Sequence, residues 1–382
     1  MSREVAIVGG SAAGLFLART FASRNLPVSV FEGAPSLDPD PRTLIVTSRM
    51  RDILGPLEQG SVVNEITHFE LFTDGRSATV RLRRPDLVVE RATLIKGLAE
   101  SAKASGANVC VGRRFESLST DGKRLALTVE RAGGHAETVN VDVIVGADGA
   151  SSRVARSAGW PAQPTVPLLQ AVVKWPAHVP QDCVRVWFVP DDTPYFYWLI
   201  PESRERGVLG LIAEDGSKVR ADLERFLARQ GLDAAELQAA RVPLYTRWVP
   251  IHKKIGEGDV YLVGDACGQV KVTTLGGVVT GFRGALAVAE AVLGGGGQRE
   301  ARGLRHELDR HLLVRRVLHG FTQDDYSRLI DLLDTRARAL LGECTRDEAN
   351  QMLLRLCLRQ PRLLLLAARA LLTRTAFPAR NS

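Results

Sequence analysis

Short apolar runs alternate with helical spacing over the first thirty or so residues. Residues 5–8 (Val-Ala-Ile-Val) read as a buried strand, Gly9 to Gly14 as a glycine-rich turn and Leu15 to Ala22 as a helix. A second apolar run, Val28 to Phe31, ends in Glu32. That order makes one βαβ unit. Arg91 to Ser105 sets Leu94 and Leu98 on one helical face and closes at Gly106, and a strand is expected over 108–112. The pattern then changes. Ile66 to Phe72 and Thr79 to Arg83 alternate apolar and polar positions around Asp74-Gly75, a hairpin signal. Leu168–Lys174, Val184–Val189, Tyr195–Ile200 and Gly207–Ile212 are further short strands separated by Pro, Asp and Gly, which predicts antiparallel sheet. From Leu304 onward the spacing is helical.

The expected architecture is α/β. A Rossmann-like dinucleotide-binding domain comes in three pieces (1–60, 88–160 and 245–300), with an inserted antiparallel β-sheet domain (61–87 and 161–244) and a helical C-terminal region (301–382). Composition narrows the class. A hydrophobic fraction of 45% and a charged fraction of 24% are those of a globular chain and exclude disordered and collagen-like classes. No stretch approaches the roughly 18 uncharged apolar residues of a spanning helix. The N-terminus runs straight into a strand, which predicts a cytoplasmic protein. The five cysteines (Cys110, Cys183, Cys267, Cys344, Cys357) are odd in number and lack C-x-x-C spacing, and the seven histidines show no ligand spacing. No metal site is expected. The net charge of +7 comes from arginines spread through helical segments, which argues against a nucleic-acid partner.

The candidate chemistry sits in three turns. Gly9 and Gly14 hold the outer places of G-x-G-x-x-G, and Ser11 takes the middle one. Such a turn lets backbone amides at a helix start approach a pyrophosphate, and Glu32, at the end of the second strand, is placed to accept from ribose hydroxyls. This alone leaves NAD and FAD open. Two later segments decide between them. Val143–Gly146 runs into Ala147-Asp148-Gly149 and then a helix. Val260–Val263 runs into Gly264-Asp265-Ala266, followed by Thr273-Thr274-Leu275-Gly276-Gly277 and the helix Val279 to Leu293. Asp265 can accept from ribityl hydroxyls, and the Gly276-Gly277 amides can face the flavin edge where reduction places negative charge. An NAD dehydrogenase needs neither.

In this order the three segments resemble the FAD-binding motifs of para-hydroxybenzoate-hydroxylase-fold flavoproteins. Within that superfamily the chain is similar to the geranylgeranyl reductase family, through Gly264-Asp265-Ala266-Cys267-Gly268-Gln269-Val270-Lys271-Val272-Thr273-Thr274-Leu275-Gly276-Gly277, and at the tail through Phe321-Thr322-Gln323-Asp324-Asp325-Tyr326 and Arg359-Gln360-Pro361-Arg362-Leu363-Leu364. The resemblance implies FAD, an electron donor such as NAD(P)H or a ferredoxin-type reductant, and hydride delivery to double bonds of an isoprenoid or other long apolar substrate. It gives Gly9, Gly14 and Glu32 the ADP half of FAD, and adds Gly10, Ser11, Ala13, Arg91, Asp148, Asp265, Gly276 and Gly277 as further cofactor contacts. The family's Tyr-x-Trp-x-Phe-Pro falls on Phe196-Tyr197-Trp198-Leu199-Ile200-Pro201, where only Trp and Pro match. Phe196, Trp198 and Ile200 share one strand face and make a candidate apolar wall for the substrate.

Three departures bear on the chemistry. Val272 stands where the family has proline and Leu275 where it has the first of three glycines. No cysteine occurs near Arg42-Thr43-Leu44, where archaeal members often carry one. That leaves Cys267 as a weak proton-donor candidate, with a buried filler as its plain alternative. A flavin monooxygenase or halogenase of the same fold is the competing reading, because Phe196-x-Trp198-x-Ile200-Pro201 matches three of four places of the halogenase Trp-x-Trp-x-Ile-Pro. The tail has its own pattern. Between Ala349 and Ser382, Arg355, Arg359, Arg362, Arg369, Arg374 and Arg380 interleave with leucines and no acidic residue. This suits either peripheral contact with an anionic membrane at its inner face or a helical cap on the core.

Overall fold

The computed structural model describes residues 3–58, 60–131, 133–295, 298–348, 355–356 and 359–373. Along the chain, β1 (Val5–Val8), α1 (Ala12–Ala22) and β2 (Val28–Phe31) form the expected βαβ opening, followed by β3 (Thr43–Val46) and α2 (Arg49–Leu54). A long hairpin, β4 (Val62–Thr73) and β5 (Arg76–Glu90), turns at Asp74-Gly75, both of which have positive φ. Next come α3 (Arg91–Ala104), β6 (Asn108–Cys110), β7 (Arg113–Thr120), β8 (Leu125–Arg131), β9 (Ala136–Val141), β10 (Val143–Gly146) and α4 (Arg153–Ser157). The second half holds β11 (Thr165–Lys174), β12 (Cys183–Trp187), β13 (Tyr197–Pro201), β14 (Arg206–Ile212), α5 (Val219–Gln230), β15 (Ala234–Pro243), β16 (His252–Ile255) and β17 (Gly258–Leu262). It ends in α6 (Val278–Val292), α7 (Gln298–His319), α8 (Gln323–Leu332), α9 (Thr335–Glu343) and a last described helix, Arg362–Thr373.

Three sheets result. The first runs β16-β17-β10-β1-β2-β6, parallel except for its β16 edge. Its central strands are buried along their whole length, as expected of parallel strands covered on both faces. Leu15, Phe21, Leu98 and Phe282 from α1, α3 and α6 cover one face. Leu125, Leu127 and Trp160 cover the other. The three-stranded sheet β7-β8-β9 that supplies this second cover was not anticipated from the sequence, and neither was α5.

The eight-stranded sheet runs β15-β11-β14-β13-β12-β4-β5-β3 and is antiparallel apart from one parallel junction, β12 with β4. Its two faces separate cleanly. Tyr197, Leu199, Leu209 and Leu211 pack against Leu223, Phe226 and Leu227 of α5. Trp198, Ile200, Val208 and Ile212 point the other way, toward Leu304, Leu308 and Leu312 of α7. The period-2 alternation of β13 thus assigns Phe196, Trp198 and Ile200 to the side shared with α7. Thr43–Val46, adjoining the glycine-turn region in sequence, pairs with β5 at the edge of this second sheet and so ties the two sheets together.

Candidate active site

The three turns meet. Gly9 has φ +107°, and a Cβ there would run into the Ala147 carbonyl. A Cβ on Gly14 would lie 2.9 Å from that of Ala147. Ala13 in turn lies 3.4 Å from the space a Cβ on Gly264 would occupy. The first turn is therefore wedged between the Asp148 and Asp265 turns, and only small residues permit it. Ser11 caps α1 and accepts from the Gly14 amide at 3.2 Å, while the Glu32 carboxylate accepts from the Gly10 amide at 2.6 Å and from Ala34 at 2.7 Å. These bonds fix the loop and leave the start of α1 facing a cavity of about 610 Å³.

Ser11, Ala13, Arg91, Gly264, Asp265, Gly276 and Gly277 all line that cavity. Burial pushes the Asp265 carboxyl upward, and the fields of Arg42 and Arg91 oppose the shift. The Asp265 carboxylate lies against Gly277, where a Cβ would approach its Oδ1 to 2.9 Å, so glycine is required there for space. Arg42 also lines the cavity, with its Nε buried and unpartnered. Burial and the neighbouring Arg91 hold its guanidinium below the ordinary arginine value. Leu275 has φ +51°, so it keeps the left-handed backbone that a glycine would adopt, and buries its side chain against the chamber wall. The cavity continues from these turns into an apolar chamber walled by Phe69, Val184, Val186, Phe196, Trp198 and Ile200. Gly210 makes room for the Trp198 indole, because a Cβ there would lie 2.5 Å from the ring.

Residues 2–304 match the family model described as an FAD binding domain. A curated digeranylgeranylglycerophospholipid reductase from Methanothrix thermoacetophila is 25% identical over 362 residues, spanning 86% of this chain and 91% of the relative. Among solved structures, a geranylgeranyl bacteriochlorophyll reductase-like protein of Thermoplasma acidophilum superposes with a TM-score of 0.80 at 18% identity, covering 97% of this chain and 99% of the other. The flavin-dependent halogenase CmlS shares the fold at a TM-score of 0.67 and 17% identity, over 96% of this chain and 78% of its own. The chain belongs to the FAD-binding-domain family and is an FAD-dependent oxidoreductase.

The flavoprotein's own features fit that cofactor: a small-residue turn at a capped helix start, two arginines and a carboxylate on one cavity wall, and a buried Arg42 nitrogen without a partner. Two aspartates that look alike in sequence differ in place. Asp265 lines the cavity, whereas the Asp148 carboxylate is occupied within its own turn, accepting from Ser152 Oγ at 2.5 Å and from the Arg153 and Val154 amides at 2.7 and 3.1 Å. Cys267 packs among Leu262, Trp160 and Ala266 on the far face of the first sheet, its thiol pushed up by burial and its Sγ on the Gly264 carbonyl. It does not line the cavity and has the surroundings of a buried filler.

Sequence reading passed over the polar wall opposite the turns. The inner face of α7 carries Glu307, His311 and Arg315 at positions where apolar residues would complete the stripe. Lys271 pairs with Asp347, which also accepts from Thr47. Arg346 pairs with Asp86 at 2.7 Å, and Arg283 pairs with Glu307 and with Glu300. Lys271, Thr273, His311, Arg315 and Arg346 all face the cavity. A further cluster forms across β4 and β12, where ligand atoms of His68, Glu70 and Cys183 lie within 4.8 Å of one another. Glu70 is already bonded to Arg185 at 2.8 Å, and burial pushes the Cys183 thiol up to about 12. The pairing of two strands creates this group, which is why no spacing in the sequence announces it.

Proposed function

We propose that this flavoprotein reduces carbon–carbon double bonds of an isoprenoid, or a similarly long apolar substrate, with NAD(P)H or a ferredoxin-type reductant as the electron source. One observation carries the reading: a single cavity joins the glycine turns to a chamber walled by Phe196, Trp198 and Ile200. FAD, when bound and reduced, supplies the hydride. On this reading Gly9, Gly10, Ser11, Ala13, Gly14 and Glu32 shape the ADP end. Arg42, Arg91 and Asp265 hold polar groups of the cofactor, and the Gly276 and Gly277 amides at the start of α6 face the flavin edge. The chamber binds the chain by apolar burial, worth roughly 25 cal/mol per Å² removed from water, and excludes water from the reacting carbons. The His311 imidazole, held down to about 3 by burial and by Lys271, is neutral at pH 7 and a poor acid, and water or another nearby acid supplies the proton that completes reduction.

The test is anaerobic. The FAD-loaded protein is reduced and mixed with geranylgeranyl diphosphate, and the expected result is flavin reoxidation with a product two mass units heavier per bond. A reduced flavin that the prenyl lipid never reoxidises, but that oxygen reoxidises in a parallel aerobic assay with hydroxylation or halogenation of an added aromatic substrate, would overturn the reading in favour of the monooxygenase branch.

A membrane role is part of the same proposal. The last described helix exposes Leu364, Leu365 and Leu371 beside Arg362, a pattern suited to an anionic bilayer surface. Leu353, Leu354, Cys357, Leu358, Arg374 and Arg380 of the same basic stretch lie outside the described residues. Among the described residues no helix is long and apolar enough to cross a membrane.

A further inference from the structure

The cavity's α7 wall follows a rule and breaks it once. Lys271 has Asp347, and Arg346 has Asp86. Arg315 is only 1% exposed, yet no carboxylate among the described residues forms an ion pair with it, and its Nε has no partner. Its remaining contacts are neutral: the Pro194 carbonyl at 2.6 Å, the Tyr326 hydroxyl, and the face of the Tyr195 ring 4.9 Å from Cζ. Glu214 reaches it only through space, and burial pushes that carboxyl upward, toward the neutral form. One helical turn earlier on the same face lies His311, 2% exposed. Its Nδ1 is engaged by Thr273 Oγ1 at 2.6 Å, and its Nε2 is buried and unpartnered. Both side chains line the chamber, next to Val314 and Leu318.

A buried guanidinium without a counter-charge is costly, and an orphaned buried ring nitrogen adds to the cost. We propose that His311 and Arg315 form a subsite for an oxyanion, a phosphate or carboxylate borne at the end of the substrate's apolar chain. The proposal rests on the reading that the chamber holds the substrate. Arg315 supplies the charge. When Thr273 donates to Nδ1, His311 presents Nε2–H as a second donor, which suits an acceptor oxygen. Phe188, Phe196, Val314 and Leu318 take the adjoining hydrocarbon.

The experiment measures dissociation constants of the FAD-loaded protein, by tryptophan quenching, for geranylgeranyl diphosphate, geranylgeranic acid, geranylgeraniol and inorganic diphosphate. We expect one of the two anionic lipids to bind at least about tenfold tighter than the alcohol. In Arg315→Met that ratio falls to about one while the alcohol's affinity is unchanged. Arg315→Lys restores part of it, and His311→Phe loses a smaller part. The Arg315→Met protein should also keep or raise its melting temperature, since an unpaired buried charge has been removed. Equal affinity for acid, diphosphate and alcohol in the wild type would overturn the subsite, as would equal weakening of all three in Arg315→Met or a melting temperature lowered by more than about 5 °C. Inorganic diphosphate competing as well as its prenyl ester would overturn the chain-borne assignment. Tight binding of geranylgeraniol alone sinks the subsite and keeps the isoprenoid reading. Failure of every prenyl probe, with Arg315-dependent binding of an aromatic carboxylate, sinks the isoprenoid reading and keeps the subsite.

Discussion

The two ends of the cavity use opposite strategies. At the glycine turns the cavity wall is built from backbone: side chains are withdrawn so that three loops can touch, and the charged groups there are Arg42, Arg91 and Asp265. At the α7 end it is built from side chains: Lys271 pairs with Asp347, which accepts from Thr47, Arg346 pairs with Asp86, and His311 meets Thr273. The first strategy is intolerant of added volume. The second is intolerant of lost charge. Each end should therefore fail in its own way.

The sharpest break is at Gly9. Gly9→Val places branched atoms against the Ala147 carbonyl in a left-handed backbone, and we expect a protein without flavin, read as loss of the absorbance near 450 nm. At the other end, Asp347→Ala strands Lys271 in the interior and should cost about 3–5 kcal/mol in chemical denaturation, with flavin content falling only as the fold is lost.

Acid separates the ends more gently. Burial pushes the Asp347 carboxyl upward, but Lys271 and Thr47 outweigh it and hold it at about 2, below its ordinary 3.8, so its contribution of about 2 kcal/mol is present above pH 4 and is lost as pH falls toward 2. The neutral His311, held at about 3 against an ordinary 6.5, adds a loss that begins as pH drops below 6.5. Stability should thus decline in two stages. His311→Gln should flatten the upper stage and Asp347→Asn the lower one, as followed by denaturant midpoints across pH.

The smallest effect belongs to Leu275. With φ at +51°, glycine should be better tolerated there than alanine, reversing the usual order by about 1 kcal/mol when Leu275→Gly and Leu275→Ala melting curves are compared.

How far the sequence could be read follows the same division. The βαβ opening, the Asp74-Gly75 hairpin, the four later strands and the glycine turns are local patterns, and each appears where its spacing put it. The inward face of β13 was legible from alternation alone. The α7 wall was not, because Glu307, His311 and Arg315 look like the polar side of an ordinary surface helix until Arg283 of α6, Thr273 of the turn before it, and Pro194 and Tyr326 are brought up against them. Asp148 and Asp265 show the limit from the other side: the same Gly-Asp or Asp-Gly signature yields one carboxylate that caps its own helix and one that faces the cavity. Arg42 gave no signal at all, since only the pairing of β3 with β5 carries it to the site.

The clasp between Thr47, Lys271 and Asp347 also has a meaning in time. Thr47 and Asp347 are 300 positions apart, so at bacterial or eukaryotic elongation rates about 15–60 s separate their synthesis. Until the later one emerges from the ribosome, Lys271 has no counter-ion, and the loop leading to Gly276 lacks its anchor. The nascent flavoprotein should therefore reach its full stability only after Asp347 has been translated.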